Sequence, residues 1–242
     1  AASMVDIRLA SEYEKYPSVP GLLRDFTAIS VRENSARTII RQLIGDDVQA
    51  TVVLDPTLLL TQDEWCRNVD IAVIQKEKYI FCYMYYITES QKRLIQRLAQ
   101  LHGCTTVIIS DLLKSDMPKI GELHIDPAEN VSIEMFLCLI KNAEAVVTDS
   151  FHGTAFSIQF EKTFFAVEST QREKDLLENG KPRSHIDRIG TLLEKAGLPS
   201  RLLRYGEEDS AQVKESIGYS DVNKKLAQER LASLEWLRNA IG

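Results

Sequence analysis

One histidine stands where a buried strand is expected to turn into a helix. The apolar residues 145–147 are followed by Thr148, Asp149, Ser150, Phe151, His152, Gly153 and Thr154. An apolar run that ends in polar residues and continues as a helix-like segment predicts a parallel strand, a tight turn and a helix start. Such turns bring backbone N–H groups and a positive dipole end to the sheet edge where α/β proteins bind anions. Because imidazole exchanges protons near neutral pH, His152 is the first candidate for acid–base chemistry.

The neighbours of His152 have two interpretations, ligand binding and support of the turn. Gly153 and Thr154 would offer backbone N–H groups to an anion, or Gly153 would only satisfy a positive φ. Asp149 and Ser150 belong to the residue types that cap helices, and capping is their favoured role, with substrate binding by Ser150 as the alternative. His152 itself would either act on a substrate or brace the turn by hydrogen bonding to the backbone.

Charged residues also follow other predicted strands. Arg32 follows a strand at 27–31 and is interpreted as a substrate-binding arginine or as a salt-bridge partner of Asp55, which ends the next strand. Glu168 follows the strand at 163–167 and is a candidate for binding ribose hydroxyls. The polar segment after it contains Arg172 and Arg183, candidate anion-binding residues that would otherwise be only solvated.

Strands and helices alternate along the chain. Strands are predicted at 27–31, 51–54, 79–85, 105–109, 145–148 and 163–167, with helical patterns between them and a long terminal helix at 224–241. This alternation favours an α/β protein with a doubly wound parallel sheet.

Composition excludes several classes of protein. The 242 residues are 44% hydrophobic with a net charge of −6, and no basic stripe suggests nucleic-acid binding. No apolar run reaches about 18 residues, so no membrane span is predicted, and no signal peptide is recognised. The four cysteines form no CxxC pair and the histidines are scattered, which indicates free thiols, a reducing cytoplasm and no metal site.

The sequence resembles the polysaccharide pyruvyl transferase family. Its hallmark is the Thr-Asp-Ser-Phe-His-Gly-Thr segment with the residues that follow it to Phe164, and further matching segments lie at 28–35, 53–60 and 186–201, in family order. The resemblance implies Rossmann-like parallel sheets in a GT-B-like two-domain arrangement. We expect the remainder of an N-terminal half at 1–65, a C-terminal domain at 70–205, and a linker and helix at 206–242. The Gly-rich turn that usually opens family members is absent, so the N-terminal half is expected to be incomplete.

The resemblance also implies an activity. Family members transfer pyruvate from phosphoenolpyruvate, as a ketal, onto a sugar or lipid-linked saccharide of a capsule or exopolysaccharide precursor, with no cofactor. His152 would be the general acid. The family often has arginine where this chain has Ser150, so another cation is expected to serve, with Arg172, Arg183 and Lys181 as candidates.

Two alternatives remain open at this point. One keeps the fold and replaces the chemistry: a GT-B-type glycosyltransferase or epimerase that binds a nucleotide-sugar at the turn after residue 148. The other is a truncated, non-catalytic module that binds a glycan or a partner, an interpretation favoured by the missing Gly-rich turn and by Ser150. The acceptor sugar and the oligomeric state are left open by the sequence.

Overall fold

The chain folds into parallel β-sheets whose strands are connected by helices, as the sequence predicts. The computed structural model describes residues 16–46, 49–71, 77–84, 87–110, 118–128, 131–168 and 185–242. These residues group into two compact units: unit 1 takes those within 1–60, 182–199 and 220–242, and unit 2 those within 61–181 and 200–219.

The elements of the described residues are numbered in chain order. The strands are β1 (Ile29–Val31), β2 (Ala50–Val52), β3 (Tyr79–Tyr83), β4 (Thr106–Ser110), β5 (His124–Pro127), β6 (Ala145–Thr148), β7 (Thr163–Val167) and β8 (Leu202–Leu203). The helices are α1 (Val19–Arg24), α2 (Asn34–Ile44), α3 (Gln62–Asn68), α4 (Glu89–His102), α5 (Ile133–Asn142), α6 (Phe151–Gln159), α7 (His185–Ala196) and α8 (Tyr219–Ile241). Short 3₁₀ turns occur at Pro56–Leu58, Pro199–Arg201 and Glu208–Ser210.

Unit 1 contains a small two-stranded sheet. β1 and β2 are parallel, with Val31 opposite Val52, and α2 provides the crossover between them. α2 buries Ile39, Ile40 and Ile44 on one face and ends at a glycine with positive φ, Gly45.

Two later segments of the chain also belong to unit 1. The backbone N–H of Ser35, at the start of α2, donates to Asp187 Oδ2 of α7 at 3.1 Å. The Leu54 N–H donates to Ser233 Oγ of α8 at 3.0 Å. These contacts join residues that are far apart in the chain, and they account for the grouping of 182–199 and 220–242 with unit 1. The domain limits expected from the sequence stay a prediction.

Unit 2 is built on a six-stranded sheet. Its strand order is β5-β4-β3-β6-β7-β8, and every neighbouring pair is parallel. This is the doubly wound order, in which the direction of strand addition reverses between β3 and β6. The central strands β3, β4, β6 and β7 are almost entirely buried.

The sequence did not indicate the two edge strands of this sheet, β5 and β8. β5 is partly exposed and contains a proline, and β8 has only two residues. Edge strands need no continuous apolar run and tolerate proline, so their sequences lack the pattern that reveals central strands.

α4 shows how local sequence positions the helices of unit 2. Thr88 and Gln91 form a reciprocal capping box at its start, and Gly103, with a φ of 67°, ends it. Leu94 and Leu98 are buried, whereas Leu101, one turn nearer the end of the helix, is 42% exposed.

Candidate functional site

The turn between β6 and α6 lies at the switch point of the unit 2 sheet. β6 pairs with β3 so that Thr148 lies opposite Tyr83, and both residues end their strands at the carboxyl edge. Ligands of doubly wound proteins bind outside this edge, at the point where the strand order reverses. The segment singled out in the sequence is therefore at the position where this fold binds ligands.

His152 is the second residue of α6 and is exposed to solvent. The preceding residue, Phe151, is buried and its ring meets the imidazole edge-on, with 5.5 Å between ring centroids. Because Phe151 is buried and the next residue is exposed, the His152 imidazole is accessible to a ligand at the carboxyl edge of the sheet. The catalytic role of His152 stays a prediction.

Ser150 is the N-cap of α6. Its Oγ accepts from the Gly153 N–H at 3.3 Å, and its carbonyl oxygen accepts both from the Thr154 N–H and from the Thr154 hydroxyl, each at 3.0 Å. The expectation that Ser150 caps this helix is confirmed. The N–H groups of Gly153 and Thr154, which were expected to meet an anion, are used within the turn itself. Binding of an anion by these two groups would require those bonds to be exchanged, and binding roles for all three residues stay predictions.

Gly153 is required by a close approach to the strand. The alternative that it satisfies a positive φ is wrong, because Gly153 lies inside α6 with ordinary helical backbone and does not have a positive φ. A Cβ atom at this position would lie 2.3 Å from Thr148 Oγ1. The lack of a side chain lets the first turn of α6 rest on the end of β6.

Thr148 joins the turn to the neighbouring strand. Its hydroxyl donates to the carbonyl oxygen of Tyr83 at 2.7 Å and accepts from the Ser150 N–H at 3.1 Å. Thr148 is fully buried, so it fixes the separation of the two strand ends at the switch point. Sequence reasoning placed Thr148 only at the end of the strand and gave it no role.

Aromatic rings support α6 from other elements of unit 2. The Phe156 ring of α6 contacts Trp65 of α3 edge-on at 5.1 Å and Phe136 of α5 at 6.2 Å between centroids. Phe136 in turn meets Tyr83, the last residue of β3, at 4.8 Å. These residues come from four separate elements, so no local pattern reveals the cluster.

Glu168 follows β7 and holds the turn after β8. Its carboxylate Oε2 accepts from the Tyr205 N–H at 3.2 Å, and its own N–H donates to the Leu203 carbonyl at 2.9 Å. Its carbonyl accepts from Gln91 Nε2 at 3.4 Å. The carboxylate therefore has a structural partner, and its role toward sugar hydroxyls stays a prediction.

In unit 1, Arg32 forms the salt bridge that the sequence offered as one of two interpretations. Its Nη1 pairs with Asp55 Oδ2, and the two side chains are 16% and 2% exposed. Asp55 Oδ1 accepts from the Thr57 N–H at 2.9 Å and the Thr57 hydroxyl at 2.7 Å. Burial raises the pKa of Asp55, but hydrogen bonds from Arg32 and Thr57 outweigh burial and leave its pKa below the ordinary value.

Two further charged side chains belong to this part of unit 1. Glu33 is fully buried next to Arg32 in the chain. Arg188 of α7 is half-buried, and burial together with the positive charge of Arg32 lowers its pKa, against the opposing effect of Glu33 and Asp55. The carboxyl end of β1 thus carries a cluster of mutually compensating charges.

The other candidate cations, Arg172, Arg183 and Lys181, lie outside the described residues. In the part of the chain that the structure describes, no three His, Cys, Asp or Glu side chains are grouped in a way that could hold a metal ion. None of the helices described has the length and apolar content needed to cross a membrane.

The fold is that of an α/β protein. Its turn between β6 and α6 lies at the switch point of a doubly wound sheet, the position where such proteins bind ligands. The model of the family described as polysaccharide pyruvyl transferase matches residues 21–171. The chain belongs to this family, a family of transferases.

Comparison with known proteins adds distant structural similarities. The glycosyltransferase SnogD from Streptomyces nogalater is 12% identical, with a TM-score of 0.37, and the match covers 85% of this chain and 60% of that one. The chain therefore spans less than two thirds of the length of SnogD. A structure of EarP-mediated arginine glycosylation of translation elongation factor EF-P is 11% identical, with a TM-score of 0.39 and coverage of 78% and 73%. Curated protein sequences gave no match.

Proposed function

We propose that the protein is a polysaccharide pyruvyl transferase, which moves pyruvate from phosphoenolpyruvate onto a sugar of a cell-surface or exopolysaccharide precursor as a ketal. Family membership supports the reaction class. The observation that carries the proposal is the exposed imidazole of His152 at the start of α6, beside the switch point of the sheet. Phosphoenolpyruvate is a cytoplasmic metabolite, so the proposed reaction takes place in the cytoplasm.

The reaction assigns His152 a defined task. Imidazolium gives a proton to the methylene carbon of phosphoenolpyruvate, and the positive charge that develops on the phosphate-bearing carbon is captured by one sugar hydroxyl oxygen. The second hydroxyl then displaces inorganic phosphate and closes the cyclic ketal. Of the two hydroxyl protons released, one restores imidazolium and the other leaves with phosphate, so the reaction needs no cofactor.

The phosphate and carboxylate of the donor need cationic partners. Guanidinium groups suit both because they form paired hydrogen bonds with planar or tetrahedral oxyanions. With Ser150 in place of the family's usual arginine, this role falls in the proposal to Arg32, Arg172 and Arg183. The sugar hydroxyls require orientation more than activation, to which Thr154 and Glu168 are proposed to contribute.

Ligand-dependent thermal stability tests this proposal. A ligand that binds only the native state raises the melting temperature, and the shift grows with ligand concentration. We expect phosphoenolpyruvate to raise the melting temperature of the wild type and His152→Ala to weaken that shift. His124→Ala provides a matched control, because His124 is also an exposed histidine of unit 2 but lies on β5, the outermost strand of the sheet.

Other results would redirect the assignment. A shift with a uridine or cytidine diphosphate sugar and none with phosphoenolpyruvate would favour a glycosyltransferase or epimerase. No shift with any of these ligands would favour a non-catalytic binding module. Release of inorganic phosphate from phosphoenolpyruvate in the presence of a saccharide acceptor, lost in His152→Ala, would establish the reaction itself.

A further inference from the structure

We propose that Asp55 is the positioning residue that orients the guanidinium of Arg32 for an anionic ligand, and that Thr57 fixes Asp55 in turn. The inference rests on the proposed function, in which Arg32 meets the phosphate or carboxylate of phosphoenolpyruvate. It adds two residues, Asp55 and Thr57, to which the sequence gave no role in binding.

Local sequence brings the three side chains together. β1 and β2 are parallel, so the residues that follow them, Arg32 and Asp55, emerge at the same edge of the sheet. Pro56 then starts a 3₁₀ turn in which Asp55 is the N-cap, and this turn places the Thr57 N–H and hydroxyl against the Asp55 carboxylate.

The two carboxylate oxygens of Asp55 have separate tasks. Oδ1 accepts both Thr57 donors, and Oδ2 pairs with Arg32 Nη1. A carboxylate held at one oxygen by two donors has little freedom to rotate, so the direction of its other oxygen is fixed. A guanidinium is planar, and attachment of one Nη to a fixed oxygen therefore limits the orientation of the whole group.

Burial argues against stability as the main reason for this arrangement. The Asp55 side chain is 2% exposed, and removing a carboxylate from water offsets much of the attraction of an ion pair. The Arg32 side chain, in contrast, is 16% exposed, so the pair has a buried anchor and a partly accessible cation. An arginine held in advance loses less freedom when it binds a ligand, and this raises affinity.

A double-mutant cycle with phosphoenolpyruvate as the probe tests the inference. Isothermal titration of wild type, Asp55→Asn, Arg32→Gln and the double variant gives four dissociation constants. We expect Asp55→Asn to weaken binding about 10-fold, which corresponds to about 1.4 kcal/mol of binding free energy. In the Arg32→Gln background the same substitution should change affinity less than about 2-fold, because Asp55 acts through Arg32. An equal loss in both backgrounds, or none in the wild type, overturns the inference.

Substitutions of Thr57 test the same inference without removing a charge. Thr57→Val removes the hydroxyl and keeps the shape, whereas Thr57→Ser keeps the hydroxyl. We expect Thr57→Val to weaken phosphoenolpyruvate binding and Thr57→Ser to leave it unchanged, and equal affinities of the two variants contradict the role of Thr57. Asp46→Asn is the control, since it breaks another ion pair of unit 1, with Arg41, at the C-terminal end of α2, whereas Arg32 precedes the start of that helix.

Failure of the proposed function is distinguishable from failure of the inference. A wild-type chain that binds no phosphoenolpyruvate refutes the proposed function. The ¹⁵N–¹H resonance of Arg32 Nε then decides the inference: a shifted signal with faster solvent exchange in Asp55→Asn and in Thr57→Val, but not in Thr57→Ser, supports it, and an unchanged signal overturns it.

Discussion

Replacing Gly153 with alanine tests whether the contact between α6 and β6 holds the site turn in place. The new Cβ atom would lie 2.3 Å from Thr148 Oγ1 and 3.0 Å from both Thr148 Cβ and Cγ2. Real Cβ atoms do not approach other atoms to 2.3 Å, so either Thr148 rotates or α6 moves away from the strand.

The magnitude follows from the contacts at stake. Rotation of Thr148 would break its hydrogen bonds to the Tyr83 carbonyl and from the Ser150 N–H, at about 1 kcal/mol each. Displacement of the helix would cost about 1–3 kcal/mol as overpacking. Against these costs, alanine is more favourable than glycine inside a helix by about 1 kcal/mol. We therefore expect Gly153→Ala to lower the free energy of unfolding of unit 2 by roughly 1–2 kcal/mol.

Urea denaturation provides the assay. Trp65 lies in unit 2 and contacts Phe156 of α6, so its fluorescence in a Trp236→Phe background reports on this unit. Gly218→Ala is the control, because Gly218 also lies in unit 2, has no positive φ, and a Cβ atom added there would meet no atom within 4 Å. It should be neutral or slightly stabilising.

A second background isolates the contact. Thr148→Ala removes Oγ1 and Cγ2, so in that background Gly153→Ala should cost less than about 0.5 kcal/mol, since only the contact with Cβ remains. If Gly153→Ala is as well tolerated as Gly218→Ala in the wild-type background, the explanation of Gly153 by close approach is refuted.

Three further predictions concern the cap, the buried carboxylate and the thiols. Ser150→Ala should destabilise unit 2 by about 1 kcal/mol in the same urea assay, whereas Ser150→Asp keeps an N-cap acceptor and should not. The lowered pKa of Asp55 gives stability that is present above its ordinary value of 3.8 and is lost as the pH falls through its folded pKa. The stability difference between wild type and Asp55→Asn should therefore shrink below about pH 4, and a constant difference from about pH 7 to about pH 3 would contradict this. Burial raises the pKa of Cys104 to about 11 and that of Cys82 further, while Cys66 is only half-buried. A thiol reagent at about pH 8 should modify Cys66 first, as mass spectrometry of timed samples would show, and earlier labelling of Cys82 would contradict the burial order.

Local features of the site could be read from the sequence. The apolar run before Thr148 specified a buried strand, and Ser150 specified the helix start, because capping and strand burial depend on residues within a few positions of each other. The same holds for the glycines that end α2 and α4, Gly45 and Gly103.

Some predictions failed because the competing interpretations look alike in sequence. Gly153 is conformationally ordinary, and only the position of Thr148 shows why a side chain cannot be accommodated. The edge strands were missed because partial exposure leaves β5 without the apolar pattern on which strand prediction depends, and β8, with two residues, is too short to show one.

The sequence by itself determined the family, the alternation of strands and helices, and a histidine at a helix start. Only the tertiary structure decided that β6 lies beside β3 at the switch point, that Arg32 pairs with Asp55, and that Glu168 holds Tyr205. The physical reason is distance along the chain. Propensity and capping act within a few residues, whereas the pairing of strands and of buried charges joins residues that only the folded backbone brings together.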